Sequence, residues 1–97
     1  MEFQNFITEE RRLNILKILS VSPAYTANES VIKINLSSIG IKASTDQVKN
    51  DLLWLHEQQL AYVNNAGGIL VAQITKRGDE VGSGIIAVHG VSKPVPR

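Results

Sequence analysis

Apolar positions fall into three blocks of helical spacing, and the pattern then switches to strand. Leu13, Ile15, Leu16, Ile18 and Leu19 make one broad apolar face, with a period near 3.6 residues. Thr8 reads as the N-cap of this first helix, followed by Glu9 and Glu10, which suit the positive end of a helix dipole. Arg11, Arg12 and Lys17 fall on its wet side, and Pro23 stops it. Residues 24–27 read as a linker with Tyr25 as an anchor. Asn28 can cap a second helix from Glu29 to Ser38, with Val31, Ile32 and Leu36 toward the core and Ile39 following. The β-branched pair Val31-Ile32 makes a strand the local competitor, and Ile34 has no obvious place. Helix is favoured because a third helix needs two others to support it.

The third block carries the strongest local signal. Ser44 is a good N-cap, and Gln47 three residues later completes a capping box. Val48, Leu52 and Leu55 then form one stripe, predicting a helix to about Leu60. Gly40 can take the left-handed conformation that ends the second helix. Ile41 plugs the core, and the turn into Ser44 is short, as a helix-turn-helix requires. Tyr62–Asn64 and Ile69–Ile74 read as strands around the hairpin signal Asn65-Ala66-Gly67-Gly68. Thr75 can cap a last helix, Lys76 to about Val81, weakened by glycines. Residues 85–88 read as a strand or an extended tail, and 89–97 as a flexible C-terminal arm.

The fold class that follows is α+β, a winged helix-turn-helix. It has a three-helix core, a short β-hairpin wing and a short C-terminal helix, all within residues 1–88. A length of 97 residues suits one domain. No apolar run is long enough to span a membrane, and Met1-Glu2-Phe3 does not begin a signal peptide. There is no cysteine, which removes disulfides and thiolate metal sites and suits a cytoplasmic protein.

On this layout the third helix is the candidate recognition helix, whose first residues would meet base edges. Asp46, Lys49, Asn50, Leu53 and Glu57 lie outward or flanking. Gln47 and Asn50 are types that pair with adenine, and Lys49 is one that donates to guanine. Ser44 and Thr45 suit phosphate, as do Lys42 at the turn and Lys76 and Arg77 just after the wing. The competing reading is a solvated polar face, the common fate of such residues. The net charge of only +1 supplies little of the phosphate attraction behind DNA affinity. Asp46 and Asp51 would repel phosphate, and the hairpin from Asn64 to Gln73 has no charge, whereas a gripping wing normally offers Arg or Lys.

Trp54 lies off the main stripe and suits packing on the first helix or a dimer interface. Phe3, Phe6 and Ile7 pose the same choice. The remaining cations, Lys33, Lys93 and Arg97, read as surface charges. His56 and His89 are far apart without cysteine partners, so no metal site is expected. No phosphate-binding glycine loop, nucleophile elbow or zinc protease signature occurs. No enzyme activity and no cofactor are expected.

Thr45 to Val63 resembles the third helix and first wing strand of small bacterial winged-helix regulators. Ile74-Thr75-Lys76-Arg77-Gly78 is similar to their step into a last helix. The ending Gly90-Val91-Ser92-Lys93-Pro94-Val95-Pro96 is similar to the tail of small proteins of Mu-like prophages labelled as regulators. The resemblance implies sequence-specific duplex DNA binding by a transcriptional regulator in a phage setting, and supplies no ligand. A homodimer is the expected form. The alternative is a winged helix used as a protein-interaction module, in phage assembly or as an adaptor for a host protein.

Overall fold

The computed structural model describes residues 2–95. Helix α1 spans Glu2–Val21. A short turn, Pro23–Tyr25, leads into strand β1, Thr26–Asn28. Helices α2 (Glu29–Ser38) and α3 (Thr45–Glu57) follow. Strands β2 (Ala61–Ala66) and β3 (Ile69–Ile74) make the hairpin, and α4 (Lys76–Gly82) closes the regular structure. The chain is a winged helix-turn-helix.

The caps are where the sequence puts them. Asn28 accepts from the Val31 amide, Ser44 and Gln47 form the full capping box, and Thr75 accepts from the Gly78 amide. Three helices end in the same way. In α2, α3 and α4 the amide of Ile41, Leu60 or Ile85 reaches back five residues to the carbonyl of Leu36, Leu55 or Glu80. Such a closure needs a left-handed residue just before it. Gly40 and Gly84 supply it at φ 86° and 83°, and Gln59 supplies it at φ 62°. This closure ends α3 at Glu57, short of Leu60, and turns Leu60 inward to full burial.

Ile15, Leu16 and Leu19 of α1, Ile32 and Leu36 of α2, and Val48, Leu52 and Leu55 of α3 have no exposed surface. The sheet covers them in the order β1-β3-β2, all antiparallel. Ala27 faces Ala72, which faces Val63; the small alanines on this inner face let the helices approach closely. The hairpin turns on Gly67 and Gly68, both at positive φ, as a two-residue type I′ turn demands.

Three expectations are corrected. Helix α1 starts six residues before Thr8, at Glu2, and Phe3, Phe6 and Ile7 make a separate, exposed stripe on it; Thr8 is an interior helical residue. The linker contains β1, a strand too short to show a pattern and specified by pairing with β3. Val31 is exposed beside the fully buried Ile32, so the helix presents only half of that β-branched pair to the core. Of the two readings for residues 85–88 the strand does not form, and Ile86 and Val88 pack on the core. In the C-terminal segment, Val91 is buried and the Ser92 amide donates to the Glu9 carbonyl. Pro96 and Arg97 lie outside the described residues.

Candidate nucleic-acid interface

Most of the candidate residues gather at the N-terminal end of α3. Ser44 and Gln47 are occupied with each other: Gln47 N donates to Ser44 Oγ and Ser44 N to Gln47 Oε1, both at 3.0 Å. The Gln47 amide nitrogen keeps its donors. Thr45, Asp46, Gln47 and Asn50 are exposed, as is Lys42 in the preceding turn. Lys33 Nζ, from α2, donates to Thr45 Oγ1 at 3.2 Å. Lys33 therefore belongs to this surface although the sequence reading left it among general surface charges. The signal was available: Lys33 and Lys42 flank the tight turn that delivers α3.

Lys49 is placed differently from its neighbours. Its Nζ donates to the Gly68 carbonyl at the wing tip (3.0 Å) and lies 3.4 Å from Glu29 Oε1. Glu29 is buried at the start of α2, and the same Oε1 accepts from the Leu70 amide at 2.6 Å. One lysine and one carboxylate thus tie α2, α3 and the wing together. The Lys49 charge is largely answered inside the protein. Among the described residues the wing itself offers no charge from Asn64 to Gln73, only Asn64, Asn65, Gln73 and backbone.

Lys76 and Arg77 do not join this group. Thr75 N and Oγ1 bond the carbonyls of Leu60 and Gln59, so α4 begins where α3 has ended. The two cations line a cleft with His56, Glu57, Gln59 and Tyr62. They stand a helix length from Lys42, roughly 20 Å at 1.5 Å per residue.

Asp51 and its arginines overturn two sequence expectations. Asp51 is 2% exposed and faces α1, not solvent. It is paired with Arg11, itself buried, and accepts from Arg12 Nε at 3.3 Å. Arg12 Nη1 donates to the Gly90 carbonyl at 3.1 Å, and its guanidinium stacks 3.9 Å over Trp54. Asp51 therefore repels no phosphate, and Arg11 and Arg12 offer none a contact. Trp54 packs within its own chain, under Arg12 and Gly90. A side chain on Gly90 would strike its ring, at 2.6 Å. His56 accepts from the Val63 amide through Nδ1 at 3.2 Å and braces the edge of β2. Among the described residues no group of three His, Cys, Asp or Glu side chains is arranged to hold a metal, and no helix is long and apolar enough to cross a membrane.

Over 93 residues, 96% of this chain and 96% of the relative, the sequence is 41% identical to "Uncharacterized protein gp26" of Escherichia phage Mu. The chain belongs to the family of phage Mu gp26. A Haemophilus influenzae protein printed as "Uncharacterized protein" is 41% identical over 78 residues, 79% of this chain and 76% of its own length. No protein-family model and no solved structure matches the chain. The gp26 match leaves at most a few terminal residues uncovered, so α2, the turn, α3 and the wing all lie within the family relationship.

Proposed function

We propose that this gp26-family protein binds duplex DNA through the first two turns of α3 and acts as a transcriptional regulator in a Mu-like phage, working as a pair of copies. The observation that carries the reading is the surface just described. Asp46, Gln47 and Asn50 stand exposed on a rigidly capped helix start, with Lys33 and Lys42 beside them. Recognition helices present their N-terminal residues to the major groove in this manner. Asn50 has the donor and acceptor pattern for adenine, and Gln47 adds the donors of its amide nitrogen while its oxygen holds the capping box. Lys42 takes a phosphate, and Ser44 and Thr45 position the helix start against the backbone. Lys49 supports the surface by holding the wing against α3. Lys76 and Arg77 contribute a second, distal phosphate contact.

Binding to random-sequence duplex DNA at two salt concentrations tests this. Affinity that falls as salt rises is the expected result. Absence of binding at low salt overturns it. One observation favours a protein-interaction module instead. Leu53 is exposed on α3, and with Val63 and Leu70 it gives an apolar lining to the groove between helix and wing. A chain that ignores DNA and loses a protein partner on Leu53→Asp would be such a module.

A further inference from the structure

Among the described residues nothing covers the outer face of the N-terminal half of α1, and its chemistry fits a second copy of this chain. At 100° per residue, Phe3, Phe6, Ile7, Glu10, Lys17 and Val21 share an arc of about 100° on the side opposite Ile15 and Leu19. Phe3 is 72% exposed, Phe6 56% and Val21 83%. Residues 2–7 are all exposed, although they continue the helix. The apolar N-terminal segment therefore does not fold back on its own core. The first turns of α1 make no core packing of their own, and bare phenylalanines at i, i+3 spacing add a surface that needs cover.

Charge selects the occupant and its direction. The exposed arc is apolar at both ends, with Glu10 and Lys17 between. Arg11 and Arg12 are committed to Asp51, and among the described residues Lys17 takes no part in that network. A parallel pair would set Glu10 on Glu10 and Lys17 on Lys17. An antiparallel pair with its axis near residue 12 sets Phe3 against Val21 and brings Lys17 within a turn of Glu10 of the other copy. The C-terminal segment completes the seat. Lys93 and Val95 line a shallow groove on this face together with Glu10, Leu13, Asn14 and Lys17. With the axis near residue 12, an incoming Glu10 comes opposite Asn14 in this groove, within a turn of Lys17. Each phenylalanine can bury about 150–250 Å², so four of them, two at each end of the seam, give a two-fold interface substantial apolar area.

We propose that α1 forms an antiparallel, two-fold helix pair with α1 of a second copy, with Phe3 and Phe6 of each closing the two ends of the seam. This deepens the paired-copy part of the DNA reading and is tested without DNA. Sedimentation equilibrium of the full chain should show a dimer. Phe6→Glu should be monomeric with an unchanged circular dichroism spectrum, since Phe6 makes no contribution to the monomer core. Lys17→Glu should weaken dimerisation at least tenfold, and Glu10→Lys combined with Lys17→Glu should restore it. A wild-type chain still monomeric at about 100 µM, a dimeric Phe6→Glu, or a double exchange that restores nothing would overturn the pairing. A monomer that binds DNA would remove the pairing and leave the DNA reading standing; a dimer that ignores DNA would do the reverse.

Discussion

Asp51 shows how one residue's role depends on where its helix lies. Its carboxylate is buried with two guanidiniums, one of them buried as well. Removing the carboxylate strands Arg11 in a site it cannot leave without unpacking α1 from α3. Breaking a buried pair from one side typically costs about 3–5 kcal/mol. Asp51→Ala should lower the urea midpoint accordingly, read by the fluorescence of Trp54, the one tryptophan. A loss below about 1 kcal/mol, as for a surface pair, would show that the network is not structural. Lys49 is the second such residue. Lys49→Ala should speed hydrogen exchange at Leu70, because Glu29 then loses the partner that steadies its bond to that amide. Lys42→Ala should leave that exchange unchanged and reduce the salt dependence of DNA binding by about one phosphate contact.

At the scale of elements, two positions test how the helices stop and start. Gln59 ends α3 at φ 62°, where a side chain costs about 1–2 kcal/mol. Gln59→Gly should raise the melting temperature slightly, the relief outweighing the greater chain entropy of glycine in the unfolded state. A fall would mean that Gln59 makes a contribution its backbone angle does not reveal. Gly78 is the reverse case. It weakens α4 by propensity, yet a Cβ there would lie 2.0 Å from the Leu60 carbonyl oxygen. Gly78→Ala should therefore destabilise despite alanine's better helix propensity, by about 1–3 kcal/mol or more. A stabilised Gly78→Ala would show that α4 can move away from the end of α3. The glycine that looked like a weakness in the sequence is the contact that seats α4.

At the scale of the whole molecule, the net charge of +1 is distributed by folding in a way that the total conceals. Arg11 and Arg12 are turned inward, Lys49 is tied to Glu29, and Lys76 and Arg77 sit at the far end of α3. Lys33 and Lys42 remain beside the exposed start of that helix. One copy thus presents few cations to DNA, Lys33 and Lys42 near the start of α3 and Lys76 and Arg77 beyond its end, and its random-sequence affinity should show a shallow salt slope, at most about four phosphates per copy. A slope near two would take Lys76 and Arg77 out of the contact.

What the sequence determined by itself is local. The capping box at Ser44, the caps at Asn28 and Thr75, the Gly40 stop, the core stripes of α2 and α3 and the two-glycine hairpin act through contacts that span a few residues. Their signals survive in a linear reading, and from them the winged helix-turn-helix and the candidate recognition surface were legible. What only the tertiary structure decided is long-range. Arg11 and Asp51 meet across 40 positions, and Glu29 and Leu70 across 41. Strand β1 exists because β3 is beside it. A charged residue looks alike in sequence whether it faces water, a phosphate or a buried partner. Its fate is set by which elements pack against it, and that follows from the summed burial of the core, not from its neighbours in the chain.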